Sequence, residues 1–285
     1  MRFLIIIFVN LGLLGVVSCS KGGSEAKPSP VVNPPSTVPQ AKATLGDTLR
    51  VMTYNIHHCN PPSKEAAGTI ELNTTASVIS KENPDIVALQ EVDVNTKRSG
   101  FIDQAQLLAQ KLGMTAYFGK AINYDGGGYG VAILSKFPLS NSVTYPLPET
   151  ANPSSEDRVL AVSSINFRNG KTIYFGSTHL DVTNAGNRDL QAAEINRLAG
   201  LQSAPFIVAG DMNADPQSNT IQILEQKFIR TCSSCDFTIP VNNPTKTIDH
   251  IAYSKGTAIS VRFTKAIQEK YASDHLPVIT ELIIK

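Results

Sequence analysis

A chain of 285 residues, 42% hydrophobic and 17% charged, can fill a sizeable core in one large domain or two small ones. The formal net charge is +1, so no basic or acidic excess announces a partner. Cysteine is sparse, at four residues, and tryptophan is absent.

Met1-Arg2 leads into the apolar run "FLIIIFVNLGLLGVV" and then Ser18-Cys19-Ser20. The run is shorter than the roughly 20 residues a spanning helix needs. It has the positive start, apolar centre and small-residue exit of a secretory signal. "VVSC" also resembles a bacterial lipobox, which implies cleavage before Cys19 and lipidation at that residue; the bland alternative is a plain signal peptide with an incidental cysteine. Multiple acyl chains would anchor the protein stably to a membrane. Residues 20–46 are rich in Pro, Ser, Gly and Lys without helical or strand period, and read as a tether. The expected organisation is therefore a signal peptide over 1–18, a lipidated Cys19 with tether over 19–46, and a folded domain over 47–285. That implies a lipid-anchored, extracytoplasmic protein of a bacterial cell envelope. Four Lys or Arg and one Glu lie in the first 46 residues, so the folded part carries 21 basic against 23 acidic residues, a balance of about −2. A binder of long nucleic acids more often shows a basic excess.

Strands are expected near 49–54, 86–90, 129–134, 159–166, 171–178, 206–209, 248–253 and 276–283. Helices are expected near 70–81, 103–112, 187–200 and 217–226. No internal repeat is visible. Interleaved strands and helices indicate an α/β or α+β class with layers packed on a sheet. Cys232 and Cys235, in "RTCSSCDF", lack enough partners for a zinc site and read as a disulfide, with free thiols as the alternative.

Polar residues recur at the strand ends. "LRVMTYN" ends at Asn55, "DIVALQE" at Glu91, "IYFGSTH" at His179, and "FIVAGDMN" at Asp211 and Asn213. "TIDHIAYS" instead puts Asp249 at a strand's start, and "SDHLPVIT" puts Asp274 and His275 just before one. Both sets share one sheet edge only if the strands run antiparallel, so the pattern predicts mixed sheets. Each carboxylate alone could be a turn residue. Together they suit chemistry on a phosphoester. Oxygen donors favour Mg²⁺ or Mn²⁺, a carboxylate can take a proton from water, and a histidine can hold a phosphoryl oxygen.

The ordered series "YNIHH", "LQEV", "YGVAILSKFP", "STHLD", "GDMNA", "IDHIAYS" and "SDHLPV" resembles the endonuclease/exonuclease/phosphatase (DNase I-like) superfamily over residues 48–285. The resemblance implies a four-layer α/β sandwich, two mixed β-sheets flanked by helices. It implies Glu91 as main metal ligand, with Asn55 beside it and Asp274 close by. Asp211 would orient or deprotonate the attacking water, and Asn213 would hold a phosphate oxygen or the metal. His179 would contact the phosphate. His275 would bind phosphate or a second metal, polarised by Asp249.

Other residues stay open between function and structure. His57 stands where many nuclease relatives carry an acidic residue. His57 and His58, taken as strand neighbours, would point opposite ways, so at most one faces the site. His58 is a substrate contact or a structural histidine. In the Gly-rich "INYDGGGYG", Asn123 or Tyr124 is a phosphate-binding candidate, against a plain hairpin turn. Arg98 and Arg158 could pair with phosphate or sit in structural ion pairs. Asp215 and Arg188 read as structural. The reading is a Mg²⁺- or Mn²⁺-dependent phosphoric ester hydrolase, a monomer acting on small or lipid-linked phosphoesters. An extracytoplasmic nuclease and an inactive binding protein on the same fold are the alternatives. No basic stripe supports nucleic acid as a partner, and no Trp is present for stacking on bases.

Overall fold

The computed structural model describes residues 48–285; the predicted signal segment and tether lie outside them. Twelve strands and four helices follow in chain order: β1 (Thr48–Asn55), α1 (Leu72–Glu82), β2 (Ile86–Val94), α2 (Gln104–Leu112), β3 (Thr115–Tyr124), β4 (Gly127–Ser135), β5 (Leu139–Pro146), β6 (Val159–Asn166), β7 (Thr172–His179), α3 (Ala185–Ala199), β8 (Phe206–Asp211), α4 (Asn219–Leu224), β9 (Phe228–Arg230), β10 (Asp249–Ser254), β11 (Ile259–Ala266) and β12 (Val278–Ile284). They form two six-stranded sheets, ordered β11-β12-β1-β2-β4-β3 and β5-β6-β7-β8-β10-β9.

The helix starts and stops follow capping chemistry. Asp103, Asn184 and Ser218 each accept a backbone N–H in the first turn of α2, α3 and α4. Gly113 stops α2 in the left-handed conformation. The four predicted helices are present, α4 shorter than expected. All eight predicted strands are present too. β3, β5, β9 and β11 were not foreseen. β3 and β5 are largely half-buried or exposed, so they lack the apolar runs that announce a central strand.

Side-chain alternation sorts the core into layers. Leu49, Val51, Ile86 and Ala88 of the first sheet meet Phe175, Ile207, Ala209 and Ile251 of the second. The opposite faces carry Met52, Val87 and Leu89 against Leu108 of α2, and Phe206 and Val208 against Ile195 of α3. The order is helices, sheet, sheet, helices. Each of the Val, Leu, Ile, Met and Phe side chains among them, fully buried, contributes roughly 1.5–3 kcal/mol. This is the four-layer sandwich.

Two pairings decide where the strand ends fall. β1 and β2 run parallel, as do β7 and β8. β12 is antiparallel to β1 and β10 is antiparallel to β8. The C-terminal ends of four strands and the N-terminal ends of two therefore lie along one edge, as the mixed-sheet expectation requires. Gly210 keeps β7 and β8 close there: a Cβ on it would sit 2.0 Å from the Thr178 carbonyl oxygen. Among the described residues no helix is long and apolar enough to cross a membrane.

Candidate active site

The inward-facing rows of four strands end in polar side chains. Leu49, Val51 and Thr53 lead to Asn55, and Ile173, Phe175 and Ser177 lead to His179. Ile207 and Ala209 lead to Asp211, while Tyr253 and Ile251 lead back to Asp249. The core thus runs out at one end of the sandwich and hands its positions to donors and acceptors. Register aligns them, with Asp211 opposite His179 on one side and Asp249 on the other.

Asp211, 1% exposed, is the hub. Its Oδ1 accepts the Asn213 backbone N–H at 2.9 Å, and its Oδ2 accepts the Asn55 side-chain amide at 3.2 Å. The Nε2 atoms of His179 and His275 lie 3.5 and 3.7 Å from the same Oδ2. Asp249 Oδ2 is 2.9 Å from His275 Nδ1, which fixes the ring's orientation. Asp249 Oδ1 is buried without a hydrogen-bond partner.

Charge follows this geometry. Burial, and then the neighbouring Asp249, push the Asp211 carboxyl up to about 7, against the pull of His275 and the amide donors. Burial disfavours the charged form of His275, but Asp249 and Asp211 outweigh it and raise the ring to about 10. Burial, helped by the positive Arg158 and His275, holds His179 well below its ordinary value. At neutral pH one histidine is therefore an imidazolium and the other a neutral ring.

A second group stands at the ends of β1 and β2. One ring nitrogen each of His57 and His58 and a Glu91 oxygen lie within 4.8 Å of one another; Asp211, Asp249 and His275 offer a second such trio. The Asn55 side-chain amide joins the two groups, donating to Glu91 Oε1 at 3.0 Å as well as to Asp211. Glu91 sits in a bulge where the β2–β4 register shifts, with φ of 57°, which turns its side chain away from the ladder's alternation.

The expectation that His57 and His58 point opposite ways is corrected. They are not in a strand but in a tight turn, with φ of 45° and 41°, and their ring centroids are 4.7 Å apart. Asn213 also leaves the extended path, at φ 47°, and its amide donates to the Leu180 carbonyl at 3.0 Å. Asp274 is half-buried; its Oδ1 accepts from Ser273 at 3.3 Å, and it joins neither trio. Arg98 forms a bidentate pair with Asp93 at 2.7 and 2.9 Å. It also covers the Tyr124 ring at 4.4 Å. Asn123 is exposed and accepts from Lys120 at 2.9 Å. The Gly-rich stretch is the tight β3–β4 hairpin, turning at Asp125 and Gly126, both with positive φ. Arg158 is 5% exposed and pairs with Glu156 at 2.6 Å, while its Nε is buried without a partner. Arg188 donates to the Asp181 and Val182 carbonyls, and the Asp215 carbonyl closes a turn with Ser218. Cys232 and Cys235 form a disulfide, and Cys59 is a buried free thiol.

Two contributors escaped the sequence reading. Ser273 donates to the Asn55 carbonyl at 2.7 Å and accepts from His275 N–H at 3.3 Å, tying the first motif to the last. Tyr129 lines a small cavity with Arg158 and His179. Both lie inside quoted motifs, "SDHLPV" and "YGVAILSKFP", which was the available signal.

Two histidines and paired carboxylates thus cluster at the end of a four-layer sandwich. The model of the Endonuclease/Exonuclease/phosphatase family matches residues 52–275, and the chain belongs to that family, whose members are phosphoester hydrolases and generally depend on a divalent metal. The uncharacterized protein YbhP of Escherichia coli K12 is 25% identical over 252 residues, covering 82% of this chain and 96% of YbhP. An endonuclease/exonuclease/phosphatase structure from Beutenbergia cavernae aligns with TM-score 0.67 at 24% identity, over 84% of this chain and 72% of that one. The mannosyl-6-phosphatase of Bacteroides thetaiotaomicron aligns with TM-score 0.67 at 20% identity, over 83% and 100%.

Proposed function

We propose that this chain is a Mg²⁺- or Mn²⁺-dependent hydrolase of small or lipid-linked phosphoesters, held at a bacterial envelope through Cys19. The observation that carries the reading is Asp211: a buried carboxyl near neutrality, fixed by two amide donors between two histidines. A general base works best with a pKa near the working pH.

The donor set fits a divalent ion. Asp249 keeps a buried oxygen without a partner, and Asn55, whose amide hydrogens go to Glu91 and Asp211, would ligate through its Oδ1, which keeps one lone pair beside the bond from the His57 N–H. Glu91 and Asn55 would hold the ion, with Asp274 near. Such an ion supplies positive charge for the phosphoryl oxygens and the leaving oxygen. Asp211 orients an attacking water and takes its proton. The imidazolium of His275, steadied by Asp249, faces the negative charge that builds on the phosphoryl oxygens. His179, neutral, offers a hydrogen bond to the same group. The Asn213 amide, with one hydrogen on Leu180, has its oxygen and second hydrogen for water or phosphate. His58, Asn123, Tyr124, Arg98 and Arg158 are the candidate substrate contacts. Arg158 stands out for its unpartnered buried Nε beside His179. The mannosyl-6-phosphatase relative supports a small phosphoester over a polymer, as does the near-neutral charge.

The test is a hydrolysis panel with Mg²⁺, Mn²⁺ or EDTA. It covers sugar phosphates, inositol phosphates, phospholipids, a nitrophenyl diester, DNA and RNA. Metal-dependent cleavage of the small or lipid substrates is expected. Cleavage confined to DNA or RNA makes the chain a nuclease, and silence throughout in folded protein makes it a binding protein. Anchoring is read separately: Cys19→Ser should move the protein from the membrane fraction to the soluble one.

A further inference from the structure

We propose that His57, His58 and Glu91 form an imidazole-rich cation subsite for a borderline transition ion such as Zn²⁺ or Co²⁺, beside the Asp211 centre.

The first ground is convergence. Three potential ligand atoms from three side chains lie within 4.8 Å of one another. Two imidazoles and a carboxylate suit Zn²⁺ and its neighbours, whereas Mg²⁺ prefers an all-oxygen shell.

The second ground is the tautomer of His57. Its Nδ1 lies 2.7 Å from the Asn60 carbonyl oxygen, which can only accept. The proton therefore sits on Nδ1, and Nε2 carries a free lone pair. A ring nitrogen bonded to a backbone carbonyl is the usual support of a metal-ligating histidine. His58 complements it, since its Nδ1 is buried with no hydrogen-bond partner.

The third ground is the backbone. His57, His58 and Cys59 are three successive non-glycine residues with positive φ, at 45°, 41° and 58°. Each is unfavourable against the right-handed alternative, because Cβ crowds the following carbonyl oxygen. The turn is held in place from several sides. Asn55 Oδ1 accepts the His57 N–H at 3.1 Å, Gln104 donates to the His58 carbonyl at 2.6 Å, and Cys59 is buried. This conformation brings two adjacent rings together, where a strand would send them to opposite faces. Glu91 completes the set from another positive-φ position, φ 57°, with one carboxylate oxygen, and its other oxygen is left to the Mg²⁺ or Mn²⁺ assigned to it above. Such strain collects where a site over-determines the chain. The nearby cation Arg98 is already paired with Asp93, leaving the two rings and Glu91 to face an incoming ion.

Ion binding is separable from the hydrolysis proposed above, because it is read without turnover. Calorimetric titration of the full chain with Zn²⁺ in excess Mg²⁺, and the visible spectrum with Co²⁺, measure it directly. The wild type should bind Zn²⁺ under Mg²⁺ excess. His57→Asn and His58→Asn tolerate the left-handed backbone and should each weaken binding by roughly tenfold or more. Unchanged Zn²⁺ affinity in the folded double variant would place the ion elsewhere and overturn the assignment, as would absence of Zn²⁺ binding by folded wild type. Should the variants not fold, X-ray absorption of the Zn²⁺-loaded His275→Gln variant decides, because the Asp211 centre then offers a single imidazole. Two or more imidazole nitrogens support the subsite, and fewer overturn it.

Discussion

At the end of β8 the donors stand on regular strands: His179, Asp211 and Asp249 are ladder partners on paired strands, all buried. At the end of β1 the donors stand off the ladder. His57 and His58 occupy a left-handed turn, Glu91 a bulge, and all three are half-exposed. The first group is positioned by the core itself, so its geometry is a by-product of folding. The second is positioned by local bonds that hold costly backbone. The difference suggests that the first tolerates little change in stability without change in position, while the second trades stability for position directly.

That contrast can be broken in order of effect. Asp211→Asn should lower kcat/KM for the preferred phosphoester by roughly a hundred- to ten-thousand-fold, the range for a lost general base. A loss under tenfold would remove Asp211 from that role. Gly210→Ala should push β8 from β7 and cost about 1–3 kcal/mol of stability, measured by denaturant unfolding, because its Cβ meets backbone rather than a side chain that can yield. His58→Gly should do the reverse and stabilise the fold by about 1 kcal/mol, since it relieves a left-handed histidine. A destabilised His58→Gly would mean the turn carries no strain.

Proton linkage sharpens the buried group's side of the comparison. His275 has a folded pKa of about 10 against an ordinary 6.5, so the folded state holds a proton that the unfolded state releases. The stabilisation is full below pH 6.5 and is lost as pH rises through 10. In EDTA the melting midpoint should fall across that window, and Asp249→Asn should flatten the fall. A midpoint that rises with pH there would contradict the His275–Asp249 pairing. The last effect lies away from both groups and should leave catalysis untouched. Cys232→Ser with Cys235→Ser should cost at most about 2 kcal/mol, as the closed loop is short. Turnover should be unchanged, read from kcat on the same substrate.

The sandwich and the ladder-borne group were legible in the sequence because each rests on a period. Alternation gives strands their inner rows, and a polar residue at the end of an inner row lands at the sandwich's mouth. Asp211 and Asp249 could be placed that way without a structure. The turn at His57 and His58 could not, because nothing local announces it. No glycine marks the positive φ, and the conformation is imposed by Asn55, Gln104 and the burial of Cys59. Ser273 was overlooked for a related reason: its bond to the Asn55 carbonyl joins residues 218 apart in the chain. The edge strands β3, β5 and β11 carry mixed burial, so their side chains show weak alternation.

From β1 the chain runs strand, α1, strand, α2, then a hairpin (β3–β4) whose second arm returns beside β2. From β7 it does the same through α3, α4 and β9–β10, with β10 beside β8. Each sheet also receives an antiparallel pair on its other flank, β11–β12 beside β1 and β5–β6 beside β7. The domain is thus a pseudo-twofold object whose duplicated plan left no repeat in the sequence. Under that pseudosymmetry Asn55 corresponds to His179, Gln90 to Asp211, and His275, just before β12, to Arg158, just before β6. One scaffold position thus carries the Asp211 carboxylate in one half and the buried amide of Gln90 in the other, where the bulge moves the acidic residue one place on, to Glu91.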